Sequence, residues 1–378
     1  MIPLAAVLRR HWPAYERQYR ARLLPSHRRA VAALLSCRTP ALGGQLYRCD
    51  CGQEHYAYHS CNHRACPQCG HADATEWLQR QRRKLLPVPY YLVTFTVPAQ
   101  LRPVIRSHQK SLYPLLLRES AGALRDIARD HKDLGAQIGF LAVLQTWTRD
   151  LRYHPHVHCV VPGGGLSPDR RRWISPKREG YFLPQAVLAL RFRTRLRQAL
   201  QQEHPQLYVQ IPRAAWALAW VADVQPVGTG EPALKYLAAY VYRTAFSAER
   251  ILADDGQTIT FTYKDSKDRS LRTVRLPAER FLYRFLQHVL PQGLQRVRHF
   301  GFLSAAATAQ WQRVLALLDW RPPPRTTAPP SPVPLCPHCH KPMALIGRLP
   351  RALRSRNLDR AIHKDLQDER KVARGLEP

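Results

Sequence analysis

The sequence has little acidic charge and contains no long hydrophobic run. Its 378 residues include 58 lysines and arginines but only 27 aspartates and glutamates, so the formal net charge is +31. No apolar stretch reaches the roughly 18 residues of a transmembrane helix, and the N-terminal residues lack the pattern of a signal peptide. We therefore expect a protein without a membrane partner whose ligand is nucleic acid. A solvated basic surface with no such ligand is the alternative.

Motifs for nucleotide binding are also missing. The run Gly163–Gly165 has neither the Gly-x-Gly-x-x-Gly spacing of dinucleotide sites nor the Lys-Ser/Thr pair of phosphate loops. We interpret this run as a turn, where glycine also lets a nucleic-acid backbone approach closely. The sequence thus gives no sign of a nucleotide-binding site.

Nine cysteines are present, and eight of them lie in two clusters. In a chain that looks intracellular, clustering favours metal ligands over disulfides or free buried thiols. Two tight loops, Cys49-Asp-Cys51-Gly and Cys66-Pro-Gln-Cys69-Gly, place a glycine where positive φ turns backbone amides towards sulfur. These four thiolates predict one structural Zn²⁺, although the first loop has one residue between its cysteines where two are usual. Further candidate ligands, for a second zinc, are Cys37, Cys61, His59 and His63.

The second cluster lies near the C-terminus and reads as half of a zinc site. Cys336-Pro-His-Cys339-His supplies two thiolates and one imidazole at most. The sequence leaves three alternatives for the remaining ligand: another chain, the first cysteine cluster, or none.

A histidine-rich strand is the centre of the predicted fold. The stretch 153–165 contains β-branched residues and ends in glycines, which is typical of a strand. Residues two apart share a face, so His154, His156 and His158 point the same way, about 7 Å apart. Two neighbouring imidazoles can bind one ion at that spacing, whereas all three on a straight strand cannot. We predict His156 and His158 as the metal pair; two buried, hydrogen-bonded histidines without a metal are the alternative.

A later helix carries a pair of tyrosines. Glu231-Pro232 starts this helix, because proline is tolerated in the first turn. Tyr236 and Tyr240 are four residues apart and therefore lie on one helix face. An aromatic stripe on a core face is the commoner meaning of this spacing. The functional interpretation is that both tyrosines are nucleophiles, and it requires a nearby metal site and a phosphate substrate.

The order of the elements predicts an α+β fold with an antiparallel sheet and a zinc module in front. Predicted strands are Tyr90–Val97, Gly139–Trp147, the histidine strand, Trp216–Val224 and Gln257–Lys264, and predicted helices cover 1–36, 71–86, 99–131, 183–203, 231–243 and 279–288. Pro13 and Pro25 are expected to break the first helical region. Residues 291–301 read as an irregular basic segment. The expected domains are a basic helical arm (1–36), a zinc-binding domain (37–86), a central α+β domain (87–305), a helix with a Pro-rich linker (306–334) and a Cys-His knuckle with a basic tail (335–378).

The zinc module, the His-x-His strand and the Tyr-x-x-x-Tyr helix, in this order, resemble the two-tyrosine HUH transposases of bacterial rolling-circle insertion sequences. The resemblance covers about 37–347, and its carriers are Ser60-Cys61…Arg64-Ala-Cys66-Pro-Gln-Cys69, Tyr153-His-Pro-His-Val-His158, Lys235-Tyr-Leu-Ala-Ala-Tyr240, Phe261-Thr-Tyr-Lys-Asp265 and Arg284-Phe-Leu-Gln-His-Val-Leu-Pro291. It implies an HUH-nuclease domain, in which a ferredoxin-like antiparallel sheet with flanking helices carries the histidines on a central strand.

The resemblance also implies a chemistry. One Mg²⁺ or Mn²⁺ would be held by His156, His158 and a third ligand, for which the candidates are Gln145, His154 and Asp265. A tyrosine would attack the scissile phosphate of single-stranded or hairpin DNA at element ends and target, and leave a 5′-phosphotyrosine. The candidate DNA contacts are Lys235, Arg243 and Lys264. Host helicase and replication proteins would be partners, in the bacterial cytoplasm and near the nucleoid.

Two other functions fit the same features. A plasmid replication initiator or conjugative relaxase would use the same chemistry on another DNA, although those proteins usually lack an N-terminal cysteine module. A non-catalytic, zinc-dependent DNA-binding protein would keep the histidines and tyrosines as structural residues and would never become attached to DNA.

Overall fold

The structure is a computed structural model, and it describes residues 2–69, 71–242, 248–265, 268, 270–324 and 333–352, without the side chains of 71–73, 239, 240, 242 and 248. The helices are α1 (Leu4–Tyr19), α2 (Pro25–Ser36), α3 (His71–Arg82), α4 (Arg102–Ser107), α5 (Gln109–Arg129), α6 (Gln185–Glu203), α7 (Pro205–Tyr208), α8 (Glu231–Tyr242), α9 (Ala278–Leu286) and α10 (Thr308–Leu317). The strands are β1 (Gly44–Arg48), β2 (Glu54–Tyr58), β3 (Tyr90–Thr96), β4 (Phe140–Trp147), β5 (Tyr153–Pro162), β6 (Gly165–Leu166), β7 (Trp173–Ile174), β8 (Val221–Pro226), β9 (Ile251–Asp254), β10 (Thr258–Lys264), β11 (Leu271–Pro277), β12 (Val297–Phe300) and β13 (Ala344–Leu349).

These elements form two compact units, and each unit is assembled from segments that are separated in the sequence. The first unit combines Met1–Ala72, Phe246–Val289 and Thr326–Pro378. The second unit combines Asp73–Ala245 and Leu290–Arg325. None of the helices in the described part of the chain is both long and apolar enough to cross a bilayer.

The first unit contains α1, α2 and α9 and two small antiparallel sheets. Helix α1 runs through Pro13, so the predicted break there is wrong, whereas α2 starts at Pro25. Leu8, Trp12 and Tyr15 are buried on both sides of Pro13. Their packing offsets the backbone hydrogen bond that an interior proline removes, a loss of about 3 kcal/mol.

The two sheets of this unit have the strand orders β13-β1-β2 and β11-β10-β9. Strand β13 pairs with β1 from Gly44↔Leu349 to Arg48↔Ala344. About 300 residues of chain separate these two strands, and nothing in the local sequence patterns predicted their pairing. As a result, the segment that follows Cys339 belongs to the same sheet as the β1–β2 hairpin.

The second unit is built on a five-stranded sheet of order β12-β4-β5-β3-β8, in which every neighbouring pair is antiparallel. The predicted hairpin from β4 through a basic turn into β5 is confirmed, and β5 lies in the centre. The side chains of Val157, Cys159 and Val161 enter the main core against α5 and α6. Val160 on the opposite face packs against α8. Both faces of the sheet are therefore buried, and the histidines of β5 lie on the face that packs against α8.

Three sequence predictions for this unit are corrected. The region 99–131 is two helices, α4 and α5, rather than one. The predicted strand at 216–224 starts only at Val221, because Trp216 stacks on Trp220 with ring centroids 5.5 Å apart. In an extended chain these two residues would be roughly 13 Å apart. The segment 291–301, expected to be irregular, contains the edge strand β12.

Candidate catalytic and metal sites

The two predicted metal-binding histidines lie side by side on β5. His156 is opposite Gln145 of β4 and Thr96 of β3, and His158 is opposite Thr94. The two imidazole centroids are 4.7 Å apart, and only 7% and 6% of the two residues are exposed. The pair is therefore close enough for both rings to reach one ion, as the strand periodicity predicted.

Hydrogen bonds orient both rings. The Nδ1 atom of His156 lies 2.6 Å from the carbonyl oxygen of His154, which can only accept, so this Nδ1 donates. The Nδ1 atom of His158 lies 2.9 Å from the hydroxyl of Thr94. Its Nε2 atom is buried and has no hydrogen-bond partner among the described residues. Since a buried polar atom without a partner is costly, this nitrogen is placed as a metal ligand would be.

Burial keeps these imidazoles neutral. It lowers the pKa of His158 to about 4, with a further contribution from the nearby His154. Burial also lowers the pKa of His156 well below its ordinary value, and His158 adds to that effect. A neutral imidazole is the form that binds a metal.

The three candidates for the third ligand lie in different surroundings. Gln145 lies beside His156 in the sheet, its Nε2 donates to the carbonyl of Trp147 at 3.2 Å, and its buried Oε1 has no partner in the described chain. The ring of His154 is 5.1 Å from that of His156 at the strand entrance. Asp265 belongs to the first unit, where it pairs with Arg272 at 2.8 Å. Gln145 is therefore the candidate with a free oxygen on the histidine face.

Helix α8 brings one of the two tyrosines to the histidines. Its buried Leu234, Leu237 and Val241 pack against Val143 and Val160 of the sheet. This packing follows from the helical spacing of apolar residues. On the same helix, the ring of Tyr236 meets the ring of His158 edge to face, with centroids 5.9 Å apart.

The second tyrosine lies one turn further along α8. The backbone of Tyr240 is helical, and its side chain lies outside the described residues. Arg243, one of the predicted DNA contacts, also lies outside them. Of the other two, Lys235 pairs with Glu231 at 2.9 Å on α8, and Lys264 is exposed at the end of β10 in the first unit.

Sequence reasoning missed Thr94. Its strand was predicted, but nothing in the sequence singled out this hydroxyl as the partner of His158. The pairing of β3 with β5 sets this contact, and a threonine in a predicted strand is too common to serve as a signal.

A cluster of four cysteines in the first unit has the composition of a structural zinc site. Its members are Cys37, Cys61, Cys66 and Cys69. The sulfur of Cys69 is 3.4 Å from that of Cys37 and 3.6 Å from that of Cys61. These distances are close to the roughly 3.8 Å expected between sulfurs that surround one zinc tetrahedrally.

The backbone around this cluster also suits a metal. Arg38 and Asn62 follow two of the cysteines and have φ values of 56° and 50°. The backbone amides of Cys61 and His63 donate to the sulfurs of Cys37 and Cys61. His63 is not among these four residues, and its Nδ1 accepts from the backbone amide of Ala65 at 3.1 Å.

The remaining clustered cysteines form a second group of four: Cys49, Cys51, Cys336 and Cys339. The predicted zinc set of Cys49, Cys51, Cys66 and Cys69 is thus divided between two groups. The pairing of β13 with β1 explains the difference, because it brings the C-terminal knuckle to the turn between β1 and β2. Of the three alternatives for completing that knuckle, the structure favours ligands from the N-terminal cysteines, because Cys49 and Cys51 lie beside it.

Comparison with known proteins gives a consistent result. Residues 7–97 match the family model described as "Transposase zinc-binding domain", and residues 139–310 match the one described as "Putative transposase". The chain is 38% identical over 320 residues to "Putative transposase y4qJ" of Sinorhizobium fredii, which covers 79% of this chain and 80% of that protein. It is 28% identical over 299 residues to "Transposase for insertion sequence element IS801" of Pseudomonas savastanoi pv. phaseolicola, covering 74% and 71%. No solved structure is detectably similar. The second matched region contains both histidines and both tyrosines, and the first contains the four cysteines around Cys66.

Proposed function

The chain belongs to the insertion-sequence transposases of the IS91 and IS801 type, which are rolling-circle transposases, and from this premise we propose that it cleaves and joins single-stranded DNA at element ends through a 5′-phosphotyrosine intermediate. The observation that supports this chemistry best is the contact between Tyr236 and His158, a phenol beside an imidazole whose Nε2 is unpaired. A nucleophile next to a candidate metal ligand is the arrangement that phosphoryl transfer to a tyrosine requires.

The residues present fit a divalent ion. The two Nε2 atoms of His156 and His158 and the Oε1 of Gln145 give a mixed nitrogen and oxygen donor set, which suits Mn²⁺ and admits Mg²⁺. When bound, such an ion would polarise the scissile phosphate and neutralise the charge that develops there. The walls of the site come from β4, β5 and α8, so all three ligands are on rigid elements.

The tyrosine hydroxyl carries the covalent chemistry. Its oxygen attacks phosphorus in line, the bond from phosphorus to the 3′-oxygen breaks, and that oxygen leaves and takes up a proton. The phenolic proton passes to solvent. Attack by a free 3′-hydroxyl on the phosphotyrosine reverses these events and joins a new strand, so strand transfer needs no nucleotide cofactor.

Two tyrosines one helical turn apart allow two strand ends to be held in succession. We assign Tyr236 and Tyr240 to this pair of nucleophiles because both belong to one face of α8. The net charge of +31 supplies the attraction for the DNA backbone, with Lys235, Arg243 and Lys264 as proposed contacts. Strand separation is left to host helicase and replication proteins.

A covalent-capture assay tests this function. The purified chain is mixed with single-stranded oligonucleotides from the ends of its element, with Mn²⁺ or with chelator, and separated on a denaturing gel. We expect a metal-dependent adduct that His158→Ala abolishes and that only the double variant Tyr236→Phe/Tyr240→Phe loses completely. Tyr242→Phe, on the same helix but outside the predicted face, is the matched control and should keep the adduct. Tight DNA binding without an adduct on any end sequence would contradict the proposed chemistry.

A further inference from the structure

The second cysteine group combines two cysteines of the matched zinc-binding region, Cys49 and Cys51, with two that lie outside both matched regions. Cys336 and Cys339 follow residue 310, where the second matched region ends. In the structure their sulfurs lie 3.6 Å from that of Cys51 and 3.3 Å from that of Cys49, respectively, and the sulfurs of Cys339 and Cys51 are 3.7 Å apart. A disulfide would require about 2.0 Å. Four sulfurs around one zinc would be about 3.8 Å apart, which is close to all three distances.

The two loops that carry these cysteines have the same internal hydrogen bonds. In the first, the amide of Cys49 donates to the carbonyl of Gln53, and the amide of Gly52 donates back to the carbonyl of Cys49. In the second, the amide of Cys336 donates to the carbonyl of Lys341, and the amide of His340 donates back to Cys336. The second loop is one residue longer, which corresponds to Cys-x-x-Cys in place of Cys-x-Cys. The short spacing of the first loop is therefore compatible with the turn that a metal knuckle requires.

Both loops turn backbone amides towards sulfur. The amide of Cys51 donates to the sulfur of Cys49, and the amides of Cys339 and His338 donate to that of Cys336. The residue after each second cysteine is left-handed, with φ of 88° at Gly52 and 57° at His340. For a histidine this conformation costs on the order of 1–3 kcal/mol, so the surroundings must enforce it. Amides that converge on thiolates stabilise the negative charge that a metal-bound sulfur keeps.

Apolar packing around this group is too small to hold it together. The buried residues of its cluster are Cys49, Cys336 and Met343, with Tyr47 and Cys339 partly buried against them. A segment with so little core is usually stabilised by a metal or a disulfide. The structure holds the four sulfurs too far apart for a disulfide and at the right separation for a metal.

We propose that a second Zn²⁺ binds Cys49, Cys51, Cys336 and Cys339 and fastens the C-terminal segment 335–349 onto the β1–β2 hairpin. The zinc-binding unit is then built from both ends of the chain, with one ion inside the family-matched region and the other across the β1–β13 pair. Loss of this second ion releases the knuckle from the hairpin without removing a ligand of the first.

Zinc counting on the full-length chain tests this inference. We would measure zinc per chain by mass spectrometry in a His156→Ala/His158→Ala background, so that zinc bound at the histidine pair does not enter the count. The expected values are two zinc ions in this background, one after Cys336→Ser/Cys339→Ser, one after Cys61→Ser/Cys66→Ser, and none when all four changes are combined. Cys159→Ala, at a buried cysteine outside both groups, is the matched control and should keep two.

The parent chain provides a check that does not depend on variant folding. Stepwise release of zinc by a mercurial reagent should yield two equivalents, and thiol counting in denaturant without reductant should find all nine cysteines reduced. Replacement by Co²⁺ should give the sulfur-to-metal absorption of two tetrahedral sites. A single zinc per chain that the Cys336→Ser/Cys339→Ser variant retains would overturn the inference, and so would seven free thiols, which indicate a disulfide.

Discussion

The hydrogen bond between Thr94 and His158 is expected to set the affinity of the histidine site for its metal. If Nε2 binds the ion, Nδ1 must carry the proton and donate it to the Thr94 hydroxyl, 2.9 Å away. Thr94→Val keeps the shape of the side chain and removes this acceptor. The ring of His158 then loses the contact that fixes its orientation and its tautomer.

The size of the expected loss in metal affinity follows from the role of a hydrogen bond that orients a metal-binding histidine. Removing the hydrogen-bond partner of a metal-binding histidine lowers metal affinity by about 10- to 100-fold, which is about 1.4–2.7 kcal/mol. The free energy of unfolding of the metal-free protein should fall by only about 0.5–1.5 kcal/mol, the ordinary worth of one hydrogen bond. The two measurements therefore separate an effect on the metal from an effect on the fold.

This affinity is measured by titration with Mn²⁺ alone, in which the electron paramagnetic resonance signal gives the concentration of free ion. Thr94→Ser retains the hydroxyl and should bind Mn²⁺ like the parent. Thr96→Val is the matched control. Thr96 is on the same strand as Thr94 and lies opposite His156, and its hydroxyl has no hydrogen bond within the described residues. Equal affinities for Thr94→Val and the parent, or equal losses in the two valine variants, would refute the reasoning.

Three further outcomes follow from the same geometry. Gln145→Leu should weaken Mn²⁺ binding at least about tenfold while Gln145→Glu keeps it, and calorimetry that finds no difference would remove Gln145 as third ligand. Leu237→Ala, at a fully buried position of α8, should lower the free energy of unfolding in urea by about 2–5 kcal/mol, whereas Lys235→Ala on its exposed face should change it little. His63→Ala should leave the zinc content unchanged, because Cys37, Cys61, Cys66 and Cys69 already supply four ligands; a lost zinc equivalent would make it a ligand.

Local periodicity was sufficient to predict the elements that carry the histidines and the tyrosines. The alternation along β5 and the helical spacing along α8 are properties of a few consecutive residues, and the structure confirms both elements. The same reasoning failed at Trp216, where two aromatic rings gain more from stacking on each other than from an extended backbone. It also missed β12, whose basic residues occupy an edge strand that needs little apolar character.

Long-range pairing was beyond the sequence patterns. The grouping of the eight clustered cysteines depends on β13 reaching β1 across about 300 residues, and no local signal encodes that register. Spacing alone favoured Cys49 and Cys51 with Cys66 and Cys69, because these four are near one another in sequence. In the structure, Cys49 and Cys51 instead lie beside Cys336 and Cys339, and Cys66 and Cys69 lie beside Cys37 and Cys61.

The apolar half of β5 determines where the histidines point. Side chains alternate along a strand, so a shift of one residue would exchange the buried Val157, Cys159 and Val161 with His156 and His158. That shift would place two imidazoles in the main core and three apolar side chains against α8. In the main core, apolar side chains would surround His158 in place of the Thr94 hydroxyl, and the lost hydrogen bond disfavours that register. The packing of α5 and α6 on one face therefore fixes the position of the candidate metal ligands on the other. The candidate site therefore depends on core residues that do not line it.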